Sequence, residues 1–524
     1  MKRQEQGVLL EIPEQPERAA AQTEKAAPKI KPIDRRQGIL RTVIVEELVP
    51  ADHKVRWIWD LTGRLDLGGF FETIKSQEGR SGRAAWNPRL LVSVWLYALS
   101  EQITSAREIE ERMEYEPALM WLAGLGEINH HTLSDFRKEH PAALNHLFAE
   151  LLGVLSKEGL VTLELVAHDG TKIRAQAGAD TFRREKTLQK EIDRARQMVE
   201  ELERQGETEG SGNARREAAQ QRVARERSER MKLAAEELEK IRAGKEHEQE
   251  RAEARVSLTE PEARLMKHGD NAYAPSYNVQ LSTDAAHALV VGVDVSQCSS
   301  DGALLLPSMD KVKETVGQYP QTAVADGGFT NQAAIAGMQE RGIDFYGSLP
   351  ELAVKQRAAM KSLGIDPEFG PAAFTILSEK QSLQCPAGTT LPYVRHSKKN
   401  GNEYHQYQAP GSACSQCEFR IQCCPKNAEQ GRTVSVRISE KAVMAAFREK
   451  MKTEEAQQIY RKRGPVAEFP NCWLKEKIGL RKFRLRGMAK VKTEALWAVL
   501  TYNVMQWLRL SWRPKLAVAS ALAA

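Results

Sequence analysis

The chain has 524 residues, too long for a single hydrophobic core, and we expect two to four domains or large insertions. Hydrophobic residues make up 41% of the chain and charged residues 28%, which is typical of a water-soluble protein with a real core. The net charge of +6 is too small to indicate nucleic-acid binding by itself.

Two segments bear on export and membranes. No secretory signal is visible, because Met1-Lys2-Arg3 is followed by polar sequence. The apolar stretch 495–512 contains Asn503, Gln506 and Arg509, so it predicts a buried amphipathic helix rather than a membrane span. The seven cysteines are clustered and odd in number, which without an export signal favours reduced thiols or a metal site over disulfides. We therefore expect a cytoplasmic protein.

Residues 1–40 are rich in Glu, Gln, Ala, Lys and Pro and predict a disordered leader. From 41 to 158 the apolar residues recur at helical spacing. Four short helices are predicted: one opened by Asn87-Pro88, one over 105–113, one after Thr132-Leu133-Ser134 and one after Pro141. We predict a compact all-helical domain over 41–158.

Near residue 160 the apolar period changes to two, which predicts β-structure. A first strand, 161–167, ends at His168-Asp169-Gly170 and delivers a carboxylate into a turn. Later strands are predicted over 277–284, 288–295, 322–325 before Asp326-Gly327-Gly328, and 343–348, with a helix over 331–341. Strands and crossover helix predict an α/β core made of 159–183, 257–348 and 439–512.

The segment 184–256 is dominated by Glu, Arg, Lys, Gln and Ala. Its apolar residues step by four and three, the rhythm of a coiled coil, at Leu188, Ile192, Ala195, Val199 and Leu202 and again at Met231, Ala234, Leu238 and Ile241. Glycine and serine over 206–213 separate the two runs. We predict a helical hairpin inserted into the core; the alternative is a solvated charged helix without a partner.

A second interruption, 349–438, is predicted to be irregular and holds five of the seven cysteines. Four of them, Cys385, Cys414, Cys417 and Cys423, have spacings that a Zn²⁺ site uses. Only Cys414-x2-Cys417 is a complete pair of this kind, so a reduced loop without metal is an equal alternative. Residues 513–524 are predicted to form a tail.

Three acidic residues suit the chemistry of phosphodiester bonds, which uses two divalent ions about 3.5–4 Å apart. Such ions prefer carboxylate oxygens. Asp169 and Asp326 each follow an apolar strand and precede glycine, where a phosphate can approach closely, although Asp-Gly after a strand is most often only a turn. Glu468 lies among basic and aromatic residues, with Lys475 two helical turns beyond it.

The segment 460–492 contains eleven basic residues and two acidic ones, so it carries +9 against +6 for the whole chain. A strip this basic favours contact with a phosphate backbone over an ordinary solvated face. The residues expected to contact DNA are Tyr460, Arg463, Lys475, Arg481, Lys482, Arg484 and Arg486.

The ordered set Tyr460, Arg463, Glu468 and Lys475 resembles the Tyr-Arg-Glu-Lys signature of bacterial insertion-sequence DDE transposases. The stretches similar to the same family are GLRKFRLRGMAKVKTE at 479–494, HDGTKI at 168–173, ADGGF at 325–329, HTLSDFR at 131–137 and the segment 261–277. The resemblance covers about 80–512.

The resemblance implies an RNase H-like core, a mixed sheet flanked by helices, with the first Asp on the first strand, the second after the fourth strand and the Glu on a helix. It implies that Asp169, Asp326 and Glu468 hold two Mg²⁺ (or Mn²⁺) ions. The implied partners are double-stranded DNA, as terminal inverted repeats and target, and a second copy in a homodimeric synaptic complex associated with the nucleoid.

The sequence departs from the family pattern in three places. Four residues separate Arg463 from Glu468 instead of three, Phe469-Pro470-Asn471-Cys472 stands where relatives carry Pro-Val-Phe-Gly, and Phe329 replaces the usual Tyr. Because proline is tolerated only in the first turn of a helix, Pro470 predicts that the Glu468 helix begins close to Glu468.

Two hypotheses follow. The first is an enzyme that cleaves element ends and joins them to target DNA; the second is a catalytically inactive, transposase-derived DNA-binding protein or repressor. A general nuclease of the same fold is a weaker third. His168 points away from Asp169 on the strand and is expected to be structural.

Overall fold

Polar caps and prolines determine where the first helices begin. The computed structural model describes residues 42–74, 76, 84–208, 214–349, 360–378, 382–399, 402–439 and 442–512. Its helices before residue 160 are Lys54–Thr62, Gly68–Phe71, Pro88–Ser100, Ala106–Arg112, Pro117–Ala123, His130–Glu139 and Pro141–Lys157, after a 3-10 turn at Val45–Glu47. Asn87 accepts a hydrogen bond from the N–H of Arg89, and Pro88 occupies the first turn, where its missing N–H costs no hydrogen bond.

The predicted helical region is confirmed, with more helices than the four predicted. The helix expected after Ser134 begins at His130 instead, because the Asn129 side chain accepts a hydrogen bond from the N–H of His131 and caps it there. The leader predicted at 1–40 and the tail predicted at 513–524 lie outside the described residues.

The central sheet follows. Its strands, with two short ones between, are β1 (Leu165–Arg174), β2 (Phe182–Arg183), β3 (Val256–Ser257), β4 (Arg264–Lys267), β5 (Tyr273–Asp284), β6 (Leu289–Ser296), β7 (Thr322–Ala325) and β8 (Asp344–Gly347). The order is β4-β5-β1-β7-β8, with β6 also paired to β5, while β2 and β3 pair separately. β1 is antiparallel to β5 and parallel to β7, and β7 is parallel to β8. The helices Leu305–Val316 and Gln332–Glu340 complete this mixed α/β unit.

The first strand is predicted wrongly at both ends. β1 starts at Leu165 and continues through Asp169 to Arg174, because β5 pairs with it along that whole length. Residues 162 and 163 are bent away: Leu163 has φ +57°, and the Asp284 carboxylate accepts the N–H groups of Thr162 and Leu163 at 3.0 and 2.7 Å. Asp169 therefore lies inside a strand and not in a turn.

Segment 184–256 forms two antiparallel helices, Glu185–Thr208 and Ala214–Ala243, followed by Glu248–Ala252. Leu188, Ala195, Met231, Ala234 and Leu238 are buried together, so each helix has a partner, as the hairpin interpretation requires. At the base, Glu237 is 2% exposed and accepts hydrogen bonds from Arg264 on β4 and from Gln297. This buried carboxylate attaches the hairpin to the central sheet.

Segment 349–438 is not irregular where the structure describes it. It contains the strands β9 (Thr375–Ser378), β10 (Ser382–Gln384), β11 (Thr390–Lys399), β12 (Asn402–Gln408) and β13 (Thr433–Ser439), in the antiparallel order β13-β12-β11-β10-β9. Short helices lie at Gly411–Ser415 and Arg420–Cys423, and 3-10 turns at Pro367–Phe369 and Pro371–Ala373. A separate small hydrophobic core stabilises these strands and includes Leu383, Leu391, Tyr407 and Val434. The strands were not predicted because the segment is rich in Pro, Gly and Cys.

The last helices are Ala442–Lys452, Glu454–Arg461, Arg463–Glu476 and Met488–Trp507, which ends in a π turn at Leu508–Trp512. Met488–Trp507 has fifteen buried residues out of twenty, so it is enclosed on all sides rather than amphipathic. Its buried Asn503 is satisfied by β6: its Oδ1 accepts the N–H of Val290, and its Nδ2 donates to the Val290 carbonyl. None of the described helices is long and apolar enough to cross a membrane.

A buried ion pair joins the first helices to the last. Arg137, on His130–Glu139, lies 3.2 Å from the Glu494 carboxylate on Met488–Trp507, and their side chains are 5% and 9% exposed. Glu494 also accepts the N–H groups of Arg484 and Leu485, and Arg137 donates to the Thr104 carbonyl. One carboxylate thus fixes two helices and the loop between Glu476 and Met488.

Replacing Glu494 with Gln should lower the free energy of unfolding by about 3–5 kcal/mol, because Arg137 stays buried without a counter-charge. Chemical denaturation measures this. The matched control is Glu476→Gln, whose exposed pair with Arg481 should contribute less than about 1 kcal/mol. Equal effects of the two changes would contradict the role of the buried pair.

Candidate active site

The candidate site lies at an edge of β1 that β7 leaves open. β7 pairs with β1 only as far as His168 opposite Ala325, and Asp326 follows at the end of β7. Further along, Arg174 forms an isolated bridge with Lys482, and its carbonyl accepts the N–H of Phe483. Between these two points, residues 169–173 of β1 have no strand beside them on this side among the described residues.

Asp169 stands at the start of that edge. Its carboxylate accepts the N–H of Gly170 and the side-chain Nδ2 of Asn471, both at 2.9 Å. Burial raises the pKa of Asp169 to about 6, and the nearby charges of Asp326 and Asp301 act in the same direction. The Gly170 N–H and the Arg463 guanidinium oppose the rise. Asp169 and Asp326, the two predicted aspartates, are therefore near enough to interact.

Glu468 lies on the helix Arg463–Glu476, as predicted, but its surroundings differ from those of the aspartates. Its side chain is exposed and makes no hydrogen bond or ion pair to a described residue. Asn471, one turn further along the same helix, is the residue that contacts Asp169. In the part of the chain that the structure describes, no three His, Cys, Asp or Glu side chains are close enough together to hold one metal ion.

The expected start of this helix is wrong. The helix begins at Arg463, and Pro470 lies in its interior. Proline there removes the hydrogen bond to the carbonyl of Val466. The helix nevertheless continues, because Ala467, Pro470, Asn471 and Leu474 are all buried against neighbouring elements. Tertiary packing outweighs the local cost of proline.

Two of the predicted cations flank Asp169. Arg463 lowers the pKa of Asp169, as stated above. Burial lowers the pKa of Lys475, and the charge of Asp169 opposes that change. Tyr460 packs against the main hydrophobic core, and no hydrogen bond joins it to either aspartate among the described residues.

The other predicted cations form a band next to this edge. Arg481 is paired with Glu476, and Lys482 bridges to Arg174 through its backbone. Arg486 donates from Nε to the Gln176 carbonyl at 3.2 Å. On the hairpin, burial lowers the pKa of Arg230 and the charge of Arg486 adds to this, so the two guanidinium groups are neighbours. Lys482, Arg484 and Arg486 have exposed side chains and form no salt bridge at the described positions, although the charge of Arg486 acts on the buried Glu260 carboxylate.

The sequence interpretation missed Asp301, which lies between β6 and Leu305–Val316. Its Oδ1 accepts a hydrogen bond from Nδ2 of Asn278 at 2.7 Å and from Nε2 of Gln280 at 3.4 Å. Both amides are on β5 and at most 2% exposed. The sequence of β5 contained a sign of this contact. β5 is buried on both faces, and strands of this kind are usually apolar throughout, yet β5 carries polar residues at alternate positions, and buried polar residues require hydrogen-bond partners.

His168 is a buried structural residue. Its Nδ1 and Nε2 lie 3.0 Å from Oγ of Ser282 and Oε1 of Gln280, and its ring meets Phe329 edge-on. Burial lowers the pKa of His168 to about 4, so it is neutral near pH 7. Because Nε2 of Gln280 donates to Asp301, its Oε1 accepts from Nε2 of His168. The imidazole thus orients the amide that holds Asp301.

The cysteines of the predicted zinc site share one pocket. Cys385, Cys414, Cys417, Cys423 and Cys424 line a cavity of about 30 Å³. The N–H of Thr389 donates to Sγ of Cys385 at 3.2 Å, and the N–H of Arg432 to Sγ of Cys414 at 3.3 Å. Burial raises the pKa of Cys423 to about 11, which favours the thiol form. These groups are not gathered at ligand spacing in the described chain, so the zinc set stays a prediction.

Two family models match the chain. The one described as Transposase DDE domain matches residues 384–508, and the one described as Transposase domain (DUF772) matches residues 43–139. Both models describe transposase domains, and the first describes a DDE domain. Comparisons with curated proteins and with solved structures gave no match.

The two matched transposase regions meet at the buried Arg137–Glu494 pair, since 43–139 contains Arg137 and 384–508 contains Glu494. The DDE match also contains Glu468, Asn471, Lys475 and the five clustered cysteines. Asp169, Asp301 and Asp326 lie outside both matches. The family matches therefore give no support to the three aspartates.

Replacing Gly170 with Ala should lower the free energy of unfolding by about 1–3 kcal/mol. A Cβ at position 170 would lie 2.6 Å from Nε2 of Gln280 and 2.9 Å from Oδ1 of Asp301, and the hydrogen bond between these two groups restricts both. Gly153→Ala is the control: a Cβ there meets nothing within 4 Å in a helix, so stability should rise by about 0.5–1 kcal/mol. An unchanged Gly170→Ala protein would show that this contact is not tight.

The pKa of Asp169 predicts how stability depends on pH in metal-free buffer. Burial raises this pKa from 3.8 to about 6, so the folded protein holds the Asp169 proton more tightly than the unfolded chain does. The protonated carboxyl group therefore adds its full contribution to the free energy of unfolding below about pH 4, and this contribution is lost as the pH rises through 6. Wild type should therefore lose on the order of 2 kcal/mol relative to Asp169→Asn between pH 4 and pH 7. Denaturation of both proteins with chelator present measures this, and parallel curves would contradict it.

Proposed function

We propose that this chain is a DNA transposase that binds the ends of its element and catalyses metal-dependent strand cleavage and strand transfer. The observation that carries the proposal is the contact at the open edge of β1. There Asp169 interacts with Asp326 and accepts a hydrogen bond from the helix that holds Glu468. Residues three apart share a helix face, so Glu468 is one turn from the side chain that contacts Asp169.

The order of the strands supports an RNase H-like core. Counted along the chain without β2 and β3, which pair separately, and without the edge strand β4, the first strand, β1, lies between the second, β5, and the fourth, β7. The second strand alone is antiparallel to the first, fourth and fifth. The first aspartate is on the first strand and the second follows the fourth, as the resemblance implies.

The side chains at this edge suit hard divalent cations in their donor chemistry. Carboxylates are the oxygen ligands that Mg²⁺ and Mn²⁺ take, and Oδ1 of Asn471 is buried without a hydrogen-bond partner. Asp169, Asp326 and Glu468 would hold two such ions, with movement of their side chains to reach ligand spacing. Bound ions would activate the attacking oxygen and stabilise the leaving oxygen.

The remaining residues would bind and orient DNA. Arg463 and Lys475 both interact electrostatically with Asp169, so they would hold phosphates next to the bond that is cut. Lys482, Arg484 and Arg486 would extend the contact along the backbone, with salt-dependent affinity. The helices of 41–158 would add contacts to the terminal repeat, and pairing of two ends would require a homodimer acting at the nucleoid.

The exposed position of Glu468 is the one observation that favours the alternative, a transposase-derived DNA-binding protein or repressor without catalysis. Such a protein would still bind DNA through the basic residues but would not cleave it. Cleavage and binding therefore have to be measured on the same protein.

The test is a nicking and strand-transfer assay on DNA that carries the element's own end, with Mg²⁺ present. Wild type should cut at the end of the repeat, whereas Asp169→Asn and Asp326→Asn should cut at least about 10³-fold more slowly, because each removes a charged ligand worth several kcal/mol. Both variants should retain DNA in a gel-shift assay.

Glu314→Gln is the control for loss of a carboxylate, since Glu314 is exposed and pairs with Lys311 on its own helix. It should cut like wild type. Wild-type protein that binds the end and never cuts would favour the repressor, and cutting without regard to the end sequence would favour a general nuclease.

A further inference from the structure

We infer that Asp301 is a fourth carboxylate of the candidate site and a ligand of a divalent cation there. The inference deepens the proposed function and rests on it. Neither the family matches nor the transposase signature includes Asp301.

Asp301 lies close to the residues that follow the two aspartates. Its Oδ1 lies 2.9 Å from the position that a Cβ on Gly170 would occupy, on the face of β1 opposite to the Asp169 side chain, and its charge contributes to the raised pKa of Asp169. Its Cβ lies 3.9 Å from the corresponding position on Gly328, two residues after Asp326. Asp301 therefore reaches the open edge from the side of Leu305–Val316, and Asn471 reaches it from Arg463–Glu476.

One oxygen of Asp301 is held and the other is available. The held oxygen is Oδ1, which accepts from Asn278 and Gln280. Its Oδ2 makes no hydrogen bond or ion pair to any residue that the structure describes. Amide donors fix a carboxylate without neutralising it, which is how outer partners orient a metal ligand.

Two buried amide oxygens point independently to a cation. Oδ1 of Asn278 and Oδ1 of Asn471 are buried without a hydrogen-bond partner, in residues that are 1% and 9% exposed. Each amide donates its Nδ2 to a carboxylate, of Asp301 and Asp169 respectively. An unsatisfied buried acceptor costs about 1–3 kcal/mol, and a cation or the water bound to it would supply the missing partner.

The charges agree. Asp169, Asp301 and Asp326 bring three carboxylates to one edge, where the cations identified near Asp169 are Arg463 and Lys475. Glu468 is exposed, whereas the charge of Asp301 acts on Asp169. A divalent ion at this edge would bind to Asp301 as well as to the predicted ligands.

Titration of the full-length protein with Mn²⁺, followed by the electron paramagnetic resonance signal of the free ion, tests this without any cleavage. Asp301→Asn should weaken Mn²⁺ binding about 10- to 100-fold and leave the circular dichroism spectrum and DNA retention unchanged. Glu314→Gln, on the helix that follows Asp301, should bind Mn²⁺ like wild type.

A second variant keeps the test decisive if Asn is not tolerated. Asp301→Cys should cleave slowly in Mg²⁺ and recover at least about tenfold in Mn²⁺, because a thiolate is a poor ligand for Mg²⁺ and a better one for a softer ion. A residue with a merely structural role would show the same deficit in both metals.

The outcomes separate the two proposals. If Asp169→Asn weakens Mn²⁺ binding and both Asp301 variants behave like wild type, the role of Asp301 is wrong and the proposed function stands. If wild-type protein shows no saturable Mn²⁺ binding and no cleavage, both are wrong.

Discussion

The ion pair between Arg137 and Glu494 is the constraint on which the rest of the structure depends. Both side chains are buried, and the carboxylate also fixes the backbone at Arg484 and Leu485. That loop then places Lys482 and Phe483 against the end of β1. The far limit of the open edge is therefore set by a contact made between the two regions that match transposase models. A change in the first helices can in this way alter the site without touching it.

The sequence was sufficient for the elements that repeat a simple pattern. The hairpin helices, β5 to β8 and the helix after Asp326 lie within a few residues of their predictions, because apolar spacing reports burial directly. The sequence was insufficient where a residue is buried outside a strand, or is paired in a strand without an apolar pattern. Val161 and Leu163 are buried without being in a strand, whereas Asp169 and Lys172 are paired in β1 with no apolar alternation to mark them.

The candidate site was only partly predictable for the same reason. Asp169, Asp326 and Glu468 follow from order and family resemblance, which need no coordinates. Asn471 and Asp301 could not be found in this way, because their roles arise from contacts across 302 and 23 residues of sequence. Pro470 shows the converse: a sound local rule failed because packing on the buried face of the helix outweighs one lost hydrogen bond.

Because the hairpin is attached to the central sheet at Glu237, a small rotation there moves its distant end by a larger distance. From Glu237 back to Ala214 the helix spans 23 residues, about 35 Å at 1.5 Å per residue. A rotation of about 10° at the Arg264–Glu237 contact would displace the far end by about 6 Å, roughly two base-pair steps of duplex DNA. The rigidity of the buried Glu237 carboxylate thus determines how precisely the distant end of the hairpin is positioned.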